Sequence, residues 1–454
     1  MERQSVPSPA ERCLRVFAVD PAAASLGVPN EVTLRIAWED GLQPGPRGEY
    51  VEVVDTDARG ERVHPPVDLD RADVLAAGGL VPSDGDPAFR QQMAFAVAMR
   101  TIESFERALG RPAQWAPRAD GDFRRRLAIH PHYDEVLNAW YERKTGVCLG
   151  YGSADGALVL TCLSQDAIAR AVTEALLDGL NVELGAELSR AFADLVALLQ
   201  HFGEGAVLAH EIAAVRGDLR ARSLLGAIAP QLAAALGRPD GVWRPRGQPG
   251  ERSDSAVAAV FLAFTHIYDA RVADLRRIAS RGTGVLAEGA LHPDLVRRLA
   301  REASVVAAQV LNMCIRALDY LPPVGVDFGD FLRAVVTADR DAVPLDERRY
   351  RTAFADAFRA YGIAPAPGGT VSAETLLWPR AADGAAPAVA SFVQHLGARI
   401  SYWTLPPDRD ALWEHEREWR QELAEALDGG GRLGPVSLDE AFEIVTVNLR
   451  ERSG

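Results

Sequence analysis

Along residues 15–20, 31–38 and 49–55 apolar and polar side chains alternate, the period of a half-buried strand. Turn-formers such as Pro44-Gly45-Pro46 separate the runs. Between 87 and 109 the period changes: Met93, Val97, Ile102, Phe105 and Leu109 fall on one helical stripe, and Gly110 follows as a stop. Strand-like runs return at 136–142 and 147–151. From Ser164 onward the pattern is helical. Ser164 is placed to cap a helix over 165–178 with Gly179 at its end, and amphipathic helices are predicted over 186–202 and 206–225. A stretch rich in Gly, Pro and Arg, 238–254, reads as a loop. Helices follow over 257–280, 293–320, 328–338 and 348–361, then a Pro- and Gly-rich linker over 364–388. A last charged helix, 408–427, carries Leu412, Trp419 and Leu423 as its apolar stripe.

This order predicts an α+β protein. Residues 1–160 form a β-rich domain with one long helix and an edge strand, 161–362 an α-helical domain, and 363–454 a linker with a small helical unit. A chain of 454 residues, 48% hydrophobic, has ample material for a core. Its charge, 49 basic against 63 acidic residues or −14, argues against a nucleic-acid surface and against an anionic membrane. Cys13, Cys148, Cys162 and Cys314 form no CxxC pair, as expected in a reduced cytoplasm. The N-terminus carries Glu2, Arg3, Glu11 and Arg12 without an apolar signal region. The most apolar run, 256–264, is far shorter than the ~20 residues of a membrane span. A soluble, cytoplasmic protein is expected.

The helix over 165–178 places Arg170 and Glu174 four residues apart, with Asp178 one turn further. Taken alone, that is a solvent-facing ion-paired stripe contributing ~0.3–0.5 kcal/mol. Its surroundings say more. The chain reads Asn138-Ala139-Trp140-Tyr141, then Leu149-Gly150-Tyr151-Gly152, then Cys162-Leu163-Ser164 at the helix entry. It continues through Ala169-Arg170-Ala171-Val172-Thr173-Glu174-Ala175-Leu176-Leu177-Asp178-Gly179-Leu180, then Arg190-Ala191-Phe192-Ala193-Asp194 and Gln200-His201-Phe202.

This run resembles the core of the thermolysin-like (gluzincin) zinc peptidases, and most of all uncharacterised bacterial members of that superfamily. In those an edge strand and a Y-G turn lead into an HExxH helix. The likeness extends from about residue 15 to 361, and it implies a β-rich domain followed by an α-helical one. The catalytic letters differ throughout. By this resemblance the first zinc histidine falls on Arg170, the general base on Ala171, the second histidine on Glu174 and the third ligand on Arg190. The transition-state histidine falls near Gly250, within Pro249-Gly250-Glu251-Arg252, while the supporting acids Asp178 and Asp194 are retained.

HExxH works because residues four apart share a helical face, so two imidazoles converge on one zinc ion beside a glutamate that polarises its water. An arginine has no lone pair to offer a metal. No cofactor is therefore expected, and zinc is expected to be absent from these positions. The metal with two histidines and one glutamate sums to +1, and so do Arg170, Glu174 and Arg190. An ion triad with Glu174 between the two arginines is the expected replacement, holding register more than adding stability.

Three functions follow. The first is a metallopeptidase-like pseudoenzyme with a binding or regulatory role, its partner a peptide or protein paired along the 138–141 edge by strand addition. The second is an enzyme repurposed for metal-free chemistry, with Glu174 as acid–base and Arg170 and Arg190 as an anion clamp. The least favoured is an active zinc peptidase with displaced ligands.

Other motifs carry less. Ala209-His210-Glu211-Ile212-Ala213-Ala214 starts like HExxH but has Ala214 at the second ligand position. His130-Pro131-His132 has metal-compatible spacing on a strand without an obvious third ligand. His201 suits the negative end of a helix dipole. Gly282-Thr283-Gly284 is too short for a phosphate loop. Cys162 reads as a buried thiol. The nine histidines, His64, His130, His132, His201, His210, His266, His292, His395 and His415, all miss the zinc positions that the resemblance implies.

Overall fold

The computed structural model describes residues 8–19, 21, 29–118, 121–154, 156–180, 182, 184–203, 205–220, 252–286, 288–322, 325–365, 371–378 and 408–428. Strands and a mixed sheet come first and a mainly helical region follows, an α+β fold.

Three strands, β1 (Glu11–Phe17), β2 (Glu31–Ala37) and β3 (Val51–Val53), lead to a short helix, α1 (Ala72–Ala77), and a long one, α2 (Pro87–Leu109). Asp86 caps α2 by accepting from the Ala88 amide at 3.0 Å, Pro87 opens its first turn, and Gly110 ends it at φ +70°. Phe89, Met93, Val97, Ile102 and Phe105 are buried along it, as the periodicity requires. Two buried amides on the same helix hold loops in place. Gln91 donates to Asp55 at 3.1 Å and to Pro65 O at 3.0 Å while accepting from the Val67 amide. Gln92 accepts from the Leu80 amide and donates to Arg15 O.

Next come β4 (Leu127–His130), β5 (Ala139–Glu142) and β6 (Gly146–Leu149). With β3 they form a four-stranded sheet in the order β3-β4-β6-β5, in which β3, β4 and β6 run parallel and β5 is antiparallel at the edge. Gly146 opens β6 at φ +115°, and a Cβ there would lie 2.2 Å from the Ala128 carbonyl, so only glycine fits. β1–β2 and β7 (Tyr151–Ala154)–β8 (Ala157–Leu160) are separate antiparallel pairs.

The first strand is offset from its expected frame of 15–20, because Arg12 lies inside. Its guanidinium is 2.5 Å from Asp70, donates to Leu69 O and stacks on Trp38, so a residue that alternation counts as polar is buried.

The helical region comprises α3 (Gln165–Gly179), α4 (Ala186–His201), α5 (Gly205–Ala214), α6 (Arg252–Ala279), α7 (Pro293–Ala317), α8 (Phe328–Ala342) and α9 (Tyr350–Ala360). Gly179 lies within α3 rather than after it; a Cβ there would meet the Gln114 carbonyl at 2.0 Å. The helix expected over 206–225 ends at Ala214, and residues 221–225 lie outside those described, as does the loop 238–251. The stretch Asp254–Ala279 is long and apolar enough to cross a membrane by length and composition, and 67% of its most apolar window is buried inside the protein. That apolar character extends well beyond the short run at 256–264.

Within the stretch read as a linker, Val371 and Leu376 are buried and Arg333 stacks 3.8 Å over Trp378, so residues 371–378 pack on α8. A final helix, α10 (Arg409–Asp428), begins against the N-terminal strands. Arg409 is 3% exposed, donates to Ala113 O, Arg125 O and Glu49 O, and lies over the Tyr50 ring. Leu412 is buried and Trp413 meets Phe123 at 5.8 Å; the side chains of Trp419 and Leu423 lie outside those described. Buried apolar residues from Leu14 to Leu376 form one continuous cluster.

Candidate functional site

Ser164 caps α3 with its hydroxyl on the Ala167 amide. From there Asp166, Arg170, Glu174 and Asp178 recur every fourth residue. Four residues advance a helix about 40° beyond a full turn, so the row winds slowly around α3 and each member meets a different neighbour.

The first two meet α4, which runs back alongside. Asp166 in the first turn of α3 lies 2.5 Å from Nε2 of His201, the last residue of α4, with both side chains buried. One turn on, Arg170 Nε is 2.5 Å from Asp194 Oδ1. Acidic residues thus alternate between the two helices along a polar seam through an otherwise apolar contact. His201 owes its place to Asp166 as well as to the helix end.

Glu174 is next, and its acceptor role goes to the backbone: Oε2 accepts from the Tyr141 amide of β5 at 3.3 Å. Burial raises the Glu174 pKa, opposed by that amide and by Arg170 and Arg190. Asp194 is pushed up to about 6 by burial, against the pull of Arg170, with Asp254 adding to the rise. The arginines therefore surround Glu174 electrostatically, but the contact Arg170 makes is with Asp194, not with Glu174. The triad centred on Glu174 is replaced by a ladder in which the supporting acid takes the guanidinium. Asp178 ends the row, accepting from Tyr141 Oη at 2.8 Å and from Arg143 Nε at 2.9 Å.

The edge strand is bound to this row. Tyr141 pairs with Val147 in the register of β5 and β6, yet its amide points outward to Glu174, so Ala139, two residues back, also presents its backbone to the outer side. Asn138 O accepts from the Gly150 amide and Trp140 meets Tyr133 edge-to-face at 5.7 Å. Asn138, Ala139, Trp140 and Tyr141 thus flank the Glu174 end of α3. Ala171 is fully buried in the core, and no charged group stands where the resemblance implies a general base. Gly250 lies outside the described residues.

Among the other motifs, His210 is exposed beside a buried Glu211. Gly282 and Gly284 form the positive-φ turn after α6. Burial pushes the Cys162 thiol up to about 12, which leaves it an inert core group.

No protein-family model matches this chain, and no curated protein matches it.

One further cluster lies beside the mixed sheet. Asp55 lies just beyond β3, His132 just beyond β4, and His64 in the loop between them. His132 Nδ1 is 2.8 Å from Asp55 Oδ1 and His64 Nδ1 is 3.0 Å from Asp55 Oδ2. One donor atom from each of the three lies within 4.8 Å of the others, the set among the described residues that could hold a metal ion. His130, the other half of the His-Pro-His motif, turns instead to Thr56 Oγ1 at 3.0 Å. Of that motif only His132 joins the cluster, through Asp55, 77 residues away.

Proposed function

We propose that the chain is a metallopeptidase-like pseudoenzyme on a thermolysin-like frame, holding an extended peptide or protein segment along β5 without cutting it. The observation that carries this reading is the outward Tyr141 amide on Glu174. It sets an antiparallel edge strand beside the helix whose zinc positions, by the resemblance, are Arg170 and Glu174. With the Tyr141 amide taken by Glu174, an added strand pairs with the outward backbone of Ala139 or displaces that carboxylate. Arg170, paired with Asp194, cannot ligate a metal, and Ala171 cannot activate water. Binding without hydrolysis is the function such a set supports.

Hydrogen exchange tests it. A pool of extended peptides should slow exchange over residues 138–142. Ala139→Pro removes an outward donor while leaving the bonds from β5 to β6, and should weaken that protection at least tenfold in peptide concentration. Unchanged exchange at β5 with every pool would remove the basis of the proposal.

The raised pKa of Glu174 favours a second reading, in which this carboxyl serves as a metal-free acid–base group flanked by Arg170 and Arg190. Turnover of an ester, amide or phosphate substrate that disappears in Glu174→Gln would establish it.

A further inference from the structure

We infer that Asp55, His64 and His132 form a binding site for a divalent transition-metal ion of the zinc class, separate from the row on α3. Three observations support it.

The first is donor convergence. Both imidazoles aim Nδ1 at one carboxylate, one at each oxygen, and the two rings stand 4.6 Å apart between centroids. Ligands of a single zinc ion lie at most about 4.2 Å apart, given bonds of roughly 2.1 Å. These donors all lie within 4.8 Å of one another, and neighbouring ligands of a tetrahedral ion with such bonds lie roughly 3.4 Å apart, so closing on one ion takes side-chain shifts on the order of an ångström.

The second is position. Asp55 and His132 follow the C-terminal ends of the adjacent parallel strands β3 and β4. That end of a parallel sheet is where loops converge and ligands bind in α/β proteins.

The third is the way the carboxylate is held. Asp55 is buried, and Gln91 on α2 donates to its Oδ2 at 3.1 Å. This fixes the orientation of a ligating oxygen. Asp55 and His132 are almost fully covered, whereas the His64 side chain is 27% exposed, which leaves the site one wet side. Two imidazoles and one carboxylate favour zinc-like ions over magnesium or calcium, which prefer oxygen donors alone. Three protein ligands also leave a coordination position open.

Arg90 sets the proton balance. Its Nη1 lies 3.1 Å from His132 Nε2, so without metal His132 accepts there and carries its proton on Nδ1, facing Asp55. When metal binds Nδ1, that proton moves to Nε2 and the bond from Arg90 is lost. Arg90 keeps its bonds to Asp84 O.

Calorimetric titration of the metal-stripped chain with zinc chloride tests the site, with cobalt(II) absorption as an independent readout. One zinc per chain is expected, weakened at least tenfold by His64→Ala, with magnesium giving no binding. His64 is the most exposed of the three, and equal thermal unfolding of stripped wild type and variant shows that folding is intact. Asp55→Asn should abolish the visible cobalt bands. Arg90→Ala, which frees Nε2 of His132, should tighten zinc binding. Glu174→Gln should leave it unchanged, so failure here is distinguishable from failure of the α3 reading. No zinc binding by wild type, or binding undiminished in His64→Ala, would overturn the inference, as would a weaker affinity in Arg90→Ala.

Discussion

Arg170 on α3 and Asp194 on α4 stand 2.5 Å apart, the carboxylate almost fully covered and the guanidinium side chain 23% exposed. The pair has a pH signature. Burial pushes Asp194 up to about 6, with Arg170 opposing the shift. An unfolded aspartate titrates near about 3.9. Between these values the folded chain holds more protons than the unfolded one, so this group makes stability rise as pH falls through 6. Asp194→Asn removes that titration. The stability of the variant relative to wild type should grow between pH 5 and pH 7.5, by up to about 1.4 kcal/mol per unit of pKa displacement. Urea unfolding at both pH values checks it, and a pH-independent difference would contradict it.

The pair Asp166–His201 has almost no solvent to fall back on. Removing one partner strands the other, so His201→Ala should cost about 3–5 kcal/mol. A cycle built from Asp166→Asn and His201→Gln should show a coupling of roughly 0.5–3 kcal/mol. A coupling near zero, measured by chemical denaturation, would mean that the two side chains are held by their helices and not by each other.

Gly179 is a packing glycine. A methyl group there would sit 2.0 Å from the Gln114 carbonyl, which is backbone and cannot swing away. Gly179→Ala should destabilise by about 1–3 kcal/mol despite alanine's better helix propensity. Gly185→Ala, with nothing near its would-be Cβ, is the control; it loses only the preference for glycine over alanine at the N-cap of α4 and should cost less than about 1 kcal/mol. Equal melting temperatures for the two variants would contradict this account.

Arg409 couples the last described helix to the strands. Its guanidinium serves three carbonyls, on Ala113, Arg125 and Glu49, and covers Tyr50. Arg409→Ala leaves those carbonyls short of donors at a buried contact, and a loss of about 3 kcal/mol or more is expected. Thermal unfolding measures it. Arg409→Lys should recover only part of the loss, because an ammonium lacks the planar fork.

How far the chain could be read in advance depends on how local each signal was. α2 and α4 showed their stripes and ends, α3 its stripe and cap, β2 its alternation, and β5 and β6 read as strand-like runs, because the causes lie within a few residues. β4, β7 and β8 were not foreseen; like β5 and β6 they are four residues each, too short for a period to establish a strand. The parallel pairing of β3 with β4 joins residues about 76 positions apart (Val51 with Leu127), and no window along the chain contains both. The site divides the same way. Arg170, Glu174 and Asp178 announced themselves by spacing, and Asp194 by the motif around it. That Asp194 takes Arg170 while Glu174 takes a backbone amide depends on how α3, α4 and β5 meet. Asp55, His64 and His132 are united only by the fold. His132 looked partnerless because its partner stands just beyond another strand.

Binding without cleavage is what we propose for the junction of β5 and α3. Incubating the chain with an unbiased peptide library and excess zinc, then reading retained and cleaved peptides by mass spectrometry, tests it most directly. Intact peptides should be retained, less so by Ala139→Pro, with no fragments beyond the no-protein control. Zinc-dependent fragments that disappear in Glu174→Gln, or a library that passes through with nothing retained, would contradict it.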